Sequence, residues 1–143
     1  MGASTVLMTA ALKGISDSVK GIIADCAFTS PYDVFAHILK RDYHLPPFPI
    51  MQINDSICRR KAGYGFRDYS TLEAVQNTDI PILFIHGMMD DFVPVWMTEQ
   101  NYAKCRSPKS ILLVPNAAHA AAYYENPKAY EAAIQSFLQE NVR

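Results

Sequence analysis

Residues Pro81 to Pro94 read PILFIHGMMDDFVP, and the fold is decided by how that stretch divides. Its front half, Pro81 to His86, is an unbroken apolar run closed by Gly87. A run of that length without polar alternation suits a strand covered on both faces, the condition of strands in a parallel sheet. Its back half places two carboxylates, Asp90 and Asp91, in a loop that ends at Pro94. Proline at the first position then opens a helix to about Cys105.

Working outward, the same punctuation recurs on both sides. Ser110 to Pro115 (SILLVP) is a second buried run, and its loop Asn116 to Ala122 leads into a helix from about Asn126 to Asn141. On that helix Tyr130, Ala133, Ile134, Phe137 and Leu138 share one face. Upstream, Val19 to Phe28 (VKGIIADCAF) is a third apolar run with β-branched residues. Ser30-Pro31 starts a helix carrying Val34, Phe35, Ile38 and Leu39 on one side. The opening stretch to about Leu12 predicts a helix closed near Lys13-Gly14. From Tyr43 to Tyr69 the character changes, because Pro46, Pro47 and Pro49 crowd together and Gly63 and Gly65 flank Tyr64. This stretch is expected to be a loop-rich excursion with a short helix near Ile50 to Ala62, followed by a helical turn around Thr71 to Gln76. Three buried strands alternating with helices predict an α/β fold: a three-stranded parallel sheet flanked by helices, in one domain over residues 1–143.

Composition narrows the function classes. The 143 residues are 50% hydrophobic and 19% charged, with 13 Lys plus Arg against 14 Asp plus Glu. That balance excludes a disordered chain and gives no basic footprint for nucleic acid or an anionic membrane. Cys26, Cys58 and Cys105 form no CxxC pair, so neither a disulfide framework nor a zinc knuckle is expected. They read as reduced, small apolar residues of a cytoplasmic protein. No apolar run approaches the ~20 residues of a membrane span.

In parallel α/β sheets the working residues sit just past the carboxyl ends of strands. Here an acid, Asp90, follows one strand, and a histidine, His119, follows the next. A histidine moves protons near neutrality, and a buried carboxylate fixes its tautomer and stabilises the imidazolium. His86, ending a strand before a glycine turn, reads as structural, and Asp91 as a solvated turn residue. His37 and His44 show no partner in the sequence. A metal site from His86, Asp90, Asp91 and His119 would need all four groups to converge, and neither metal nor cofactor is expected.

HGMMDDFVP resembles the His-Gly-x-x-Asp-x-x-Val-Pro segment around the catalytic acid of α/β-hydrolases, and Asn116 to His119 (NAAH) before a terminal helix resembles their histidine segment. TLEAVQNTDIPILFIHG resembles the approach to the acid, and residues 43–69 fall where that family inserts a variable lid. The resemblance implies the C-terminal half of such a fold, a partial domain over 1–143 with a lid-like excursion. It also implies Asp90 as orienting acid, His119 as general base and then acid, and a serine nucleophile in Gly-x-Ser-x-Gly. The opening Met-Gly-Ala-Ser places that serine immediately before Met1, so Met1 takes the oxyanion-donor position. Ser4, in the first helical turn, is no replacement. The implied parent cleaves an ester, thioester or peptide bond through an acyl-enzyme, and this chain alone is expected to be inactive. Aromatics of the excursion (Tyr43, Phe48, Tyr64, Phe66, Tyr69), with Phe92 and Trp96, are candidates for a substrate pocket. The alternative is a non-catalytic domain that associates through an exposed sheet edge at Val19 to Phe28, as a homodimer or with a complementing partner.

Overall fold

A computed structural model of the chain describes every residue except Lys13, Ser16 and Arg143. Ile82–Gly87 forms the central strand β2, buried along its whole length. It pairs in parallel with β1 (Ile22–Asp25) on one side and β3 (Lys109–Val114) on the other, giving the order β1-β2-β3. In this register Ala24 faces Phe84 and Phe84 faces Ile111, so successive β2 side chains alternate between two apolar layers. Ile82 and Phe84 pack with Leu7, Val75 and Cys105, whereas Leu83 and Ile85 pack with Val114 and Phe137. The unbroken apolar run is thus accounted for: both faces of β2 are covered by helices.

The helices are α1 (Gly2–Ala10), α2 (Pro31–Tyr43), α3 (Pro47–Ala62), α4 (Thr71–Ala74), α5 (Val95–Lys104), α6 (Ala122–Glu125) and α7 (Pro127–Asn141). Ser30 caps α2 by accepting the Asp33 N–H at 3.0 Å, and Asn126 caps α7 by accepting the Ala129 N–H at 3.1 Å. At the other end of α5, the Lys109 ammonium donates to the carbonyls of Tyr102 and Cys105 at 2.7 and 2.8 Å. Those carbonyls belong to the end of α5, where a cation is favoured.

Several expected boundaries shift. α1 ends at Ala10 instead of Leu12; of the expected breaker, Lys13 lies outside the described residues and Gly14 takes φ 86°. β1 is confined to four residues because the backbone turns to φ 56° at Cys26. Gly21, just before it, lies against Phe137: a Cβ there would be 3.0 Å from that ring, tighter than ordinary packing. The excursion is more helical than the proline density suggested. Pro46, Pro47 and Pro49 all fall at the start of α3, where a missing N–H leaves nothing unpaired, and Phe48 alone departs from helical dihedrals. The short helix α6 was not foreseen in the loop after β3.

Candidate active site

The acid and the histidine are set by the strand ends. Gly87 closes β2 so tightly that a Cβ there would overlap the carbonyl oxygens of Ala117 and Ala118, in the loop that carries the histidine. Met88 and Met89 donate their N–H groups to Val114 and Ala117, stitching the two loops side by side. Asp90 then folds back, its Oδ1 accepting the N–H groups of Phe92 and Val93 at 3.0 and 2.8 Å. This local turn anchors the carboxylate without reference to the histidine and leaves Oδ2 for it.

His119 Nδ1 lies 2.7 Å from Asp90 Oδ2. The side chain of Asp90 is fully buried, while that of His119 is 35% exposed. Burial alone would push the Asp90 carboxyl upward. Donors from His86, the Val93 N–H and His119 outweigh it, and hold the group at about 2 instead of the ordinary 3.8. A carboxylate so far below neutrality only accepts, so Nδ1 carries the imidazole proton and the Nε2 lone pair remains to take another. His86 is buried beneath the pair. Its Nε2 faces two acceptors, the Val93 carbonyl at 2.8 Å and Asp90 Oδ2 at 3.2 Å. Its Nδ1 meets the Thr98 hydroxyl at 2.7 Å. Asp90 is therefore held by two imidazoles and by two backbone N–H groups.

An ionised buried carboxylate thus orients a part-exposed histidine, each just past the carboxyl end of adjacent parallel strands, an arrangement that leaves His119 Nε2 free to accept a proton. Residues 2–143 match the prolyl oligopeptidase family. The chain belongs to that family. It is 37% identical over 138 residues to YqkD, an uncharacterised protein of Bacillus subtilis strain 168, covering 96% of this chain and 45% of that protein. Its fold is shared with α/β-hydrolases of known structure. One is an acylaminoacyl peptidase of Pyrococcus horikoshii, with a TM-score of 0.67, 16% identity and coverage of 96% of this chain and 22% of that one. Another is an esterase of Pyrococcus furiosus, with a TM-score of 0.67, 16% identity and coverage of 99% and 51%. The chain thus spans about half the length, or less, of these relatives.

Within this prolyl oligopeptidase family member, the other expected residues are distributed as follows. Asp91 points into solvent, with its side chain 83% exposed and Arg41 at 3.6 Å. Phe92 stacks obliquely on the His119 ring at 5.1 Å between centroids, and the Arg41 guanidinium lies over the Phe92 ring, 5.6 Å from its centroid. Trp96 sits part-exposed in the first turn of α5. Neither Phe92 nor Trp96 lines the main apolar cavity. That cavity, about 340 Å³, is lined by Met1, Met8, Phe28, Tyr64, Phe66 and Tyr69 among others. Phe48 and Tyr43 are largely exposed and stand outside it. Met1 is the exposed N-cap of α1, and Ser4 is buried with its hydroxyl accepting the Phe28 N–H at 3.0 Å. His37 needs correcting. It is not partnerless, because its Nε2 lies 2.8 Å from the Asp91 carbonyl, which Arg41 also reaches at 2.6 Å. His44 caps α2 in the left-handed region.

Sequence reasoning missed the residues that fix the segment after β1. Ala27, Phe28 and Thr29 are buried, and their carbonyls are taken by Thr98, Asn101 and Thr71. These polar residues sit on apolar helix faces, and no local pattern separates them from surface positions. Cys26 was also read as merely apolar. The structure instead gives it polar neighbours, with Asp25 Oδ1 at 3.2 Å and the Ala120 N–H at 3.5 Å. Burial, and then the carboxylates of Asp25 and Asp90, push its thiol up to about 12.

Proposed function

We propose that this chain carries the acid and the base of a serine hydrolase acting on ester, thioester or peptide bonds, with the nucleophile supplied from outside these 143 residues. The observation that carries the reading is the 2.7 Å contact between a buried, ionised Asp90 and His119. In such a reaction His119 Nε2 takes the proton of the nucleophilic hydroxyl and returns it to the leaving group, while Asp90 holds the tautomer and the imidazolium. The resemblance to the nucleophile elbow assigns the oxyanion-donor position to Met1, the N-cap of α1. The apolar cavity walled by α1 and by residues of the 43–69 excursion supports an apolar acyl or side-chain group in the substrate. Neither metal nor cofactor is required by this chemistry, and the unpaired cysteines suit a reducing cytoplasm.

The experiment replaces the matching segment of the Bacillus relative with this chain and treats the chimera with a fluorophosphonate. Labelling of one serine of the relative is expected, slowed by at least about 10²-fold by His119→Ala. The isolated chain should not label. Stoichiometric labelling at Ser4 of the isolated chain, or labelling of the chimera indifferent to His119→Ala, would overturn the reading.

A second reading follows from the sheet. Among the described residues β1 pairs only with β2, and Ile23 on it is 38% exposed, so its outer edge presents unpaired backbone and apolar surface. We propose that in isolation the chain covers this edge with a second copy.

A further inference from the structure

Cys26 has no part in the proton transfer, yet it stands beside it. It follows β1 in the left-handed backbone region, unusual for a residue with a Cβ, and this turn brings its sulfur under the histidine loop. Its Sγ, a carboxylate oxygen of Asp90 and a ring nitrogen of His119 all lie within 4.8 Å of one another. We propose that Cys26, Asp90 and His119 together form a binding site for a thiophilic divalent cation of the zinc class, whose occupation withdraws His119 from proton transfer.

The donor chemistry and the surroundings both favour such an ion. One sulfur, one nitrogen and one oxygen are the donors zinc takes, and three protein ligands leave a fourth position for water. Tetrahedral bonds of about 2.0 Å to nitrogen and oxygen and about 2.3 Å to sulfur set neighbouring donors roughly 3.5 Å apart. The present cluster therefore has to contract by about an ångström. His119 can supply that movement, since its ring is part-exposed and borne on a loop, whereas Asp90 is fixed by the Phe92 and Val93 N–H groups. The charges acting on the thiol are the carboxylates of Asp25 and Asp90, which favour a cation at this point. Asp25 also accepts the Tyr130 hydroxyl at 3.1 Å, so the second carboxylate is held beside the sulfur by α7.

Binding is an exchange without redox change. The thiol loses its proton to solvent as the metal–sulfur bond forms, and the cation takes the Asp90 lone pair that otherwise accepts the His119 N–H. The Nδ1 proton passes through solvent to Nε2, so Nδ1 gives its lone pair to the cation and Nε2 keeps none for proton transfer. Affinity consequently rises with pH. The inhibitory consequence rests on the acid–base reading above, whereas the binding itself does not.

The test uses cobalt(II) and zinc on the whole chain, with no activity readout. One cobalt per chain should give a near-ultraviolet thiolate charge-transfer band, displaced by zinc. Cys26→Ser, checked for fold by circular dichroism, should lose the band, and Cys58→Ala should keep it. His119→Ala should weaken zinc binding by at least about tenfold, since losing even an outer partner of a metal ligand costs that much. A wild-type chain with no thiolate band, or a band that survives Cys26→Ser, would overturn the proposal. The hydrogen-bonded Nδ1 proton of metal-free His119, read by NMR, reports on the acid–base pair separately.

Discussion

Replacing Asp90 by asparagine removes one charge from a buried position and leaves the shape intact. In the wild-type fold the carboxylate accepts from Phe92 and Val93 through Oδ1 and from His119 through Oδ2, with His86 close by. An amide has one oxygen for these donors, and its NH₂ must face either backbone N–H groups or imidazole N–H. The depression of the carboxyl from 3.8 to about 2 corresponds to about 2 kcal/mol at neutral pH. Because the folded value is the lower one, that stability is present above the unfolded pKa and fades as pH falls through the folded one. By pH 3 roughly half of it is gone. Urea denaturation should therefore find Asp90→Asn less stable by about 2–4 kcal/mol at pH 7, the upper figure including the mismatched donor. The gap should narrow by about 1 kcal/mol at pH 3. In parallel, NMR of the His119 ring should show the Nδ1 tautomer giving way to Nε2–H. Equal stability at pH 7, or a gap that does not change with pH, would refute the reasoning.

Three further outcomes follow from the same geometry. Thr98→Val should cost about 1–3 kcal/mol in chemical denaturation, because it strips His86 Nδ1 of its buried partner. Gly87→Ala should destabilise by about 3 kcal/mol and shift the His119 resonances, since the added methyl drives into the carbonyls of Ala117 and Ala118. Ile23→Lys should turn a dimer into a monomer by light scattering if β1 pairs between copies; a wild-type chain that is already monomeric at high concentration would count against that pairing.

What could be read from the sequence was whatever depends on neighbours along the chain. The β2 run, the glycine after it, and the acid and histidine past successive strands all announce themselves by type and order. The helix of the excursion was read to its observed end at Ala62, but its start was set three residues late because proline was read as a breaker, whereas Pro46, Pro47 and Pro49 occupy the one end of a helix that tolerates them. Cys26 and His37 were misjudged for another reason. Besides the adjacent Asp25, Cys26 meets the backbone of residue 120, and His37 meets the carbonyl of residue 91, so neither long-range meeting leaves a trace in local spacing. Ser4, Thr71, Thr98 and Asn101 belong with them, as buried polar groups whose partners lie on the segment after β1.

The clamp of His37 and Arg41 on the Asp91 carbonyl has a consequence for motion. Phe92 walls one side of the His119 ring, and the residue before it is tethered to α2. Yet α2 buries a single residue, Val34, while β2 is buried throughout. Local opening free energies follow buried contacts, so α2 exchanges its amide hydrogens long before the sheet does. Each such opening frees the tether while Asp90 keeps its backbone hold. The His119 ring then gains and loses one wall on the timescale of a fraying helix, with the Asp90 carboxylate beside it undisturbed.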